Sequence, residues 1–291
     1  MKKQFLFLLI FLSPLYPLMS KKPAQLTSNT PTPKLHHDTN QNYGHGELQG
    51  RRPTMEDAYN VQCGHNICLY GLYDGHGGDI ISQHIASNLN TIILQKIKNH
   101  TNKEKALFQG YIQADQTLKD LPLYSSYNQG TTAITALIDE NTIIIANVGD
   151  SRAVLSSKGK AIPLSKDHKP DRPDERKRIE KLGGKVITHG VPRVQGKLAI
   201  SRVLGDHSLS PYVIPNPEIK KHKRSLDDQF LILACDGVWD VFSNEEAVVI
   251  VENALKNGAE IQDVPQILVQ AAYDAGSTDN ISAIVINVKK S

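Results

Sequence analysis

The chain has 291 residues, of which 40% are hydrophobic and 22% are charged, and its formal net charge is +3. These fractions are typical of a soluble globular protein. The net charge is too small to indicate a nucleic-acid or membrane-surface partner. The length fits one large domain or two ordinary ones.

The first twenty residues resemble a secretory signal. Two lysines precede an apolar stretch from Phe5 to Leu12, which Pro14 and Pro17 follow. This stretch is too short to cross a bilayer, so we expect no membrane-spanning segment. No A-x-A cleavage sequence ends it, which leaves an uncleaved tether or a buried N-terminal helix as alternatives. We expect a secreted or exported protein if residues 1–20 are removed, and a membrane-tethered or cytoplasmic one if they stay.

The rest of the chain is interpreted as a linker and one domain. Residues 21–42 are polar, broken by prolines and without periodicity, which predicts a disordered linker. No second linker, repeat or low-complexity run follows, so residues 43–290 form the predicted domain.

Apolar runs within this domain predict strands. In chain order they are NICLYGLYD (66–74), TTAITALI (131–138), NTIIIANVGD (141–150), RAVLSS (152–157), FLILACD (230–236) and ISAIVINV (281–288). Helical patterns cover Asp79–Lys98, Lys103–Lys119, Pro173–Leu182, Asn244–Lys256 and Val264–Ala275. Because the strands come in consecutive groups, we expect an α+β fold with antiparallel sheets and helices on their outer faces.

The three cysteines do not form a disulfide framework or a C-x-x-C zinc motif. Cys63 and Cys68 could meet across a tight hairpin in an oxidising compartment. The favoured interpretation is that these two and Cys235 are small, buried or half-buried residues.

Acidic residues stand where several strands begin or end: Glu56 and Asp57 near the start of the domain, Asp74, Asp150 and Asp236 at strand ends, and Asp279 before the last strand. A carboxylate at the lip of an apolar strand is costly unless a positive group neutralises it. Several such positions suggest that the carboxylates converge on a common centre. A carboxylate set suits Mg²⁺ or Mn²⁺ and does not suit zinc.

The stretch LYGLYDGHGGD, residues 69–79, has two interpretations. It could be only a turn, because Asp-Gly and glycine pairs are common in loops. If it belongs to a site, the carbonyl of Gly75 could also coordinate a cation, since glycine lets the main chain approach closely.

Arg52 is a candidate phosphate-binding residue. The following Pro53 biases it to an extended backbone, and in a strand Arg52, Thr54 and Glu56 would share one face. A guanidinium beside bound cations offers a fork for a phosphate. The alternative is a surface ion pair with Glu56, which would contribute little.

Nine segments occur in the order found in one enzyme family: GRRPTMEDAY, YDGHGGD, GTTA, ANVGDSRAVL, LSKDHKP, RIEKLGGKV, LAISRVLGD, ACDGVWD and STDNIS. The chain from residue 43 to 288 thus resembles the metal-dependent protein serine/threonine phosphatases of type 2C. The resemblance implies a four-layer αββα sandwich, in which two antiparallel sheets are flanked by helices. It also implies phosphoserine and phosphothreonine proteins as partners, and we expect a monomer.

The resemblance implies roles for the acidic residues. Asp74 would bridge two Mg²⁺ or Mn²⁺ ions, and the Gly75 carbonyl would complete the second site. Asp236 and Asp279 would hold the first ion. The remaining three would act more weakly: Glu56 and Asp57 through metal-bound water, and Asp150 at a possible third ion.

It also implies a mechanism. A hydroxide that bridges the two ions would attack a phosphate held by Arg52, and His76 would protonate the leaving hydroxyl. Residues 166–198 would form a flap beside the active site. The chain departs from the family's pattern at His207, where an aromatic residue usually follows Gly-Asp, and this puts substrate contacts there in doubt.

The competing interpretation is a catalytically silent pseudophosphatase that acts as a binding module. Such proteins usually lack one or more metal ligands, whereas every position named above is filled here. We therefore expect an enzyme.

Overall fold

The computed structural model describes residues 42–64, 66–99, 102–122 and 128–290. The predicted signal-like segment, 1–20, lies outside these residues, as does all of the predicted linker except its last residue.

Two five-stranded antiparallel sheets form the centre of the fold. The first has the order β1 (Tyr43–Leu48), β15 (Ile281–Asn287), β14 (Asp228–Ala234), β8 (Arg152–Ser157) and β9 (Lys160–Pro163). The second has the order β13 (Glu218–Lys223), β7 (Thr142–Val148), β6 (Ala133–Ile138), β3 (Ile67–Tyr73) and β2 (Ala58–Gly64).

Side chains alternate between two environments along these strands, as the pleat requires. In β3, Tyr70 and Leu72 pack between the sheets, whereas Leu69 and Tyr73 pack on the helical side. In β8, Leu155 points to the sheet interface and Val154 to the opposite face. Each central strand is therefore apolar on both faces, which explains why its sequence is a continuous apolar run.

Helices cover both outer faces. Helices α1 (Ile80–Asn99) and α2 (Lys103–Thr117) lie on the second sheet, and α5 (Asn244–Lys256) and α6 (Val264–Asp274) lie on the first. The Ser243 side chain accepts from the Glu246 N–H and the Glu246 carboxylate accepts from the Ser243 N–H, so α5 begins with a capping box. The fold is the predicted α+β sandwich of four layers.

Four smaller elements surround one end of the sandwich. Helix α4 (Asp236–Trp239) follows β14 directly. Helix α3 (Pro173–Lys181) and the hairpin of β10 (Val186–His189) and β11 (Val191–Val194) make up most of the predicted flap. A three-stranded sheet has the order β12 (Leu204–Gly205), β5 (Gly130–Thr131) and β4 (Gly75–His76).

Cys63 and Cys68 lie directly opposite each other in the β2–β3 hairpin and are joined by a disulfide. The alternative left open by the sequence, that these two meet across a tight hairpin, is therefore confirmed, because the hairpin register brings their Cα atoms to 4.1 Å. The favoured interpretation, that both are only small buried or half-buried residues, is wrong. Cys235 is free and buried, as expected.

No helix in the described ranges is both long and apolar enough to cross a membrane.

Glycines on β1 let helix α6 approach the first sheet closely. A Cβ atom on Gly46 would lie 2.6 Å from the backbone N of Gln266 and the backbone C of Pro265. We expect Gly46→Ala to displace α6 and to lower the free energy of unfolding by about 1–3 kcal/mol, as overpacking does. Denaturant unfolding measures this loss. The matched control is Gly64→Ala, where a Cβ meets nothing within 4 Å; equal losses in the two variants would contradict the packing argument.

Candidate metal centre and phosphate site

The strand directions bring four acidic residues to one end of the sandwich. Strands β3 and β7 both pair antiparallel with β6, so they run the same way, and Asp74 and Asp150 follow their ends. Strands β14 and β15 are antiparallel, so Asp236, after β14, and Asp279, before β15, stand at a common edge. Each sheet thus contributes a pair of carboxylates to one cleft.

The carboxylates are close enough to share cations. Ligand atoms of Asp74, Asp150 and Asp236 lie within 4.8 Å of one another, and so do those of Asp57, Asp74 and Cys235. Asp74 belongs to both groups, as a residue that bridges two ions would. Its neighbour Gly75 lies in the same cleft, as do Glu56 and Asp279.

Burial and repulsion by neighbouring carboxylates raise the pKa of three of the predicted ligands, Asp57, Asp74 and Asp236. Burial is the main cause that raises the pKa of Asp74 and Asp236 well above the ordinary value, and nearby carboxylates, including Asp150 and Asp279, raise both further. Burial raises the pKa of Asp57 to about 6, although the Ser282 hydroxyl, which donates to its Oδ2 at 2.6 Å, lowers it. A divalent cation would remove both penalties, because it favours the charged form.

Two further observations fit a hard cation. Asp57 Oδ1 is buried and has no hydrogen-bond partner in the described part of the chain, so an ion or its water could satisfy it. A Cβ on Gly75 would lie 2.4 Å from the Glu56 carbonyl oxygen, so only glycine fits there. The carboxylate oxygens of this cluster fit Mg²⁺ or Mn²⁺.

Arg52 also lines the cleft, but its contacts and its local backbone differ from those expected from the sequence. Its Nη2 donates to Asp279 Oδ2 at 2.7 Å, and 55% of its side chain is exposed. The alternative, a surface ion pair with Glu56, does not form, because Glu56 instead accepts from the Thr54 hydroxyl and the Gly78 N–H.

The predicted strand around Arg52 is also wrong. Residues 50–57 form turns and coil between β1 and β2. The Asn280 side-chain amide holds this segment by donating to the carbonyls of Gln49 and Thr54, both at 2.8 Å. The arginine therefore stands on a pinned loop rather than on a sheet face.

His76 also lines the cleft. The cleft has a volume of about 310 Å³, and Arg193, Leu198 and Ile200 line its flap side. The His76 imidazole lies in β4 and its Nε2 is 2.5 Å from Asp206 Oδ2. All nine predicted site residues thus lie at one end of the sandwich, eight of them lining the cleft and Asp57 just beneath it.

Three charged residues near the site were missed from the sequence. The Lys169 ammonium donates to Asp150 Oδ2, and although burial lowers its pKa, Asp150 raises it overall. Burial raises the pKa of Asp240, which stands one helical turn after Asp236. The i, i+4 spacing of these two acids was a signal for Asp240. Asp206 and Lys169 are distant from their partners in sequence, so no local pattern indicates them.

Comparison with known proteins gives consistent matches. A family model described as Protein phosphatase 2C matches residues 41–281. The chain is 40% identical over 248 residues to a probable protein phosphatase 2C 59 of Oryza sativa subsp. japonica, covering 84% of this chain and 75% of that protein. It is 40% identical over 253 residues to a probable protein phosphatase 2C 11 of Arabidopsis thaliana, covering 86% and 67%.

A solved structure agrees. The crystal structure of a phosphatase from a pathogenic strain of Toxoplasma gondii matches with a TM-score of 0.75 at 26% identity. The match covers 85% of this chain and 92% of that one.

Because of the acidic cluster, we expect Asp74→Asn to melt above the wild type without metal and below it with metal. Without metal, the pKa of Asp74 is higher in the folded protein than in the unfolded chain, where it has its ordinary value of 3.8. The free energy of unfolding therefore falls as the pH rises above 3.8. We expect Asp74→Asn in EDTA to melt above the wild type at pH 7.5, by about 2–4 °C for each kcal/mol relieved, and to show a smaller difference near pH 4.5.

Excess Mn²⁺ should reverse the order at pH 7.5, because the ion stabilises only a protein that binds it. Scanning calorimetry of both proteins under these three conditions measures this. A wild type that melts above Asp74→Asn in EDTA at both pH values would contradict the repulsion argument.

Proposed function

Because the chain belongs to the protein phosphatase 2C family, we propose that its cleft hydrolyses phosphoserine and phosphothreonine esters of proteins with the help of Mg²⁺ or Mn²⁺. The observation that carries this proposal is the cluster around Asp74, where the carboxyl groups of Asp74, Asp150 and Asp236 meet at one point of the fold. Two bound ions would supply a nucleophile derived from water and would neutralise the phosphoryl oxygens.

Different acidic residues would bind different ions. Asp74 belongs to both close groups of ligand atoms, which supports a bridging position, with the Gly75 carbonyl beside it. Asp236 and Asp279 would complete the first site. Asp150 would serve a weaker third ion, and its contact with Lys169 supports lower affinity there, because the ammonium competes for the same carboxylate.

Arg52 would bind the substrate phosphate. Its guanidinium is more than half exposed, and its one ion pair in the described part of the chain is with Asp279, at the rim of the cleft. A phosphate dianion offers this fork two oxygens in place of one carboxylate oxygen. The pinned loop keeps the arginine near the cluster without burying it.

His76 would protonate the leaving hydroxyl. It lines the cleft beside Asp74 but belongs to neither close group of metal-ligating atoms in the described residues. An alkoxide is a poor leaving group, so a positioned proton donor is worth more there than for a phenolate. A binding module without catalysis remains the alternative, and the next experiment distinguishes it.

The direct test is phosphatase activity on a phosphothreonine peptide. We expect EDTA to abolish activity and added Mn²⁺ to restore it, and we expect Asp236→Asn to lose most of the rate because a first-site ligand is removed. Full activity in metal-stripped protein would refute the metal mechanism. Peptide binding with Mn²⁺ but no turnover would favour the binding module.

His76→Ala separates proton donation from metal binding. We expect it to slow hydrolysis of the phosphothreonine peptide by about 10²–10⁴-fold and to leave p-nitrophenyl phosphate nearly unaffected, since p-nitrophenolate needs little protonation. Steady-state kcat at saturating Mn²⁺ measures both. Asp74→Asn is the comparison, because it should impair both substrates. Equal losses in His76→Ala would show that the histidine does not act as the acid.

A further inference from the structure

The contact between His76 and Asp206 crosses the middle strand of the small sheet. Gly130 in β5 pairs with His76 on one side and with Gly205 on the other, and Asp206 follows Gly205. The two side chains meet above Gly130, where a Cβ would lie 2.6 Å from Asp206 Oδ2 and 2.8 Å from His76 Nε2. The middle residue must therefore be glycine for this contact to form.

Asp206 is more buried than the histidine that it contacts, and its main chain is hydrogen-bonded on both sides. Its side chain is 8% exposed, compared with 30% for His76. Its backbone lies in the left-handed region at φ 45°, which non-glycine residues rarely adopt, although Asp and Asn tolerate it best. The Asp206 N–H donates to the Gln129 carbonyl at 3.2 Å, and the Asp206 carbonyl accepts from the Leu209 N–H at 2.8 Å.

Helix α2 secures both neighbours of Asp206. The Gly205 N–H donates to Asp115 Oδ1 at 2.9 Å, and His207 Nε2 lies 2.9 Å from Asp115 Oδ2. Asp115 itself is buried against the second sheet. The histidine that departs from the family's pattern thus contacts helix α2, and it helps to fix the carboxylate next to it.

We propose that Asp206 is a positioning residue that orients the His76 imidazole for catalysis. Asp206 engages Nε2, and Nδ1 has no hydrogen bond within the described part of the chain, so Nδ1 is the atom left to face the substrate. An aspartate that accepts from one ring nitrogen fixes the direction of the other, as in other His–Asp pairs.

This inference rests on the proposed function and refines one step of it. As the P–O bond breaks, its electron pair stays on the leaving oxygen, which takes the proton from His76 Nδ1. The Nε2 proton remains on the ring and continues to donate to Asp206, so the aspartate gains no proton. Its contribution is the orientation of the ring.

Asp206→Asn tests the proposal, because asparagine keeps the side-chain shape and tolerates the left-handed backbone. We expect kcat on the phosphothreonine peptide to fall about tenfold or more, a part of the about 10²–10⁴-fold that a positioned acid contributes. Activity on p-nitrophenyl phosphate should stay nearly unchanged. In the His76→Ala background, Asp206→Asn should have almost no further effect, because the ring that it orients is gone.

The matched control is Asp228→Asn, which removes a second His–Asp pair. Asp228 Oδ2 lies 2.8 Å from His222 Nε2 at the start of β14, the opposite end of that strand from Asp236. We expect this control to keep the wild-type kcat on both substrates. Melting temperatures of all variants show whether each is folded at the assay temperature.

The outcomes separate the inference from the proposed function. An inactive wild type with Mn²⁺ would overturn both. An active wild type with equal losses on both substrates in Asp206→Asn, or with an undiminished loss in the His76→Ala background, would overturn the positioning role alone.

Discussion

Mutual repulsion among buried carboxylates is the constraint on which the rest of this structure depends. Asp74, Asp150 and Asp236 place oxygen atoms within 4.8 Å of one another, at the end of an apolar sandwich where water screens them poorly. Bringing these carboxylates together lowers the free energy of unfolding, so apolar packing in the rest of a large core must offset that loss. Both sheets supply residues to it, so the cluster exists only when the two sheets are packed together.

The strands determine where the charges lie, and the loops determine what surrounds them. Strand order aligns the ends of β3, β7 and β14 with the start of β15. Single side chains then hold the segments around the cluster. The Asn280 amide donates to the loop that carries Arg52, and the Asp115 carboxylate accepts from the N–H of the residue before Asp206.

Much of this arrangement could be predicted from the sequence, for a physical reason. An apolar run that ends in aspartate indicates both a strand and the position where that strand ends, so Asp74, Asp150 and Asp236 could be identified as a group. Antiparallel sheets with helices on their outer faces also followed, because the predicted strands come in consecutive groups, whereas the four-layer arrangement came from the family resemblance. Family resemblance then supplied roles that spacing alone does not give.

The errors and omissions arose where distant contacts decide local structure. Arg52 was expected on a strand because Pro53 favours extended backbone, but the Asn280 side chain, 228 positions away, holds it in a loop. The disulfide between Cys63 and Cys68 is a local exception, because it depends only on the register of one hairpin. Asp206 could not be found from sequence, since its link to His76 requires a third strand that carries Gly130 between them.

The central claim is that the carboxylate cluster holds divalent cations, and anomalous diffraction from crystals of the protein grown with Mn²⁺ tests it most directly. The account predicts two strong anomalous peaks, both within coordination distance of Asp74, about 2.0–2.2 Å for such ions, with Asp236 and Asp279 beside one of them. Crystals that show no peak at Asp74, while the four carboxylates keep the positions described here, would contradict it.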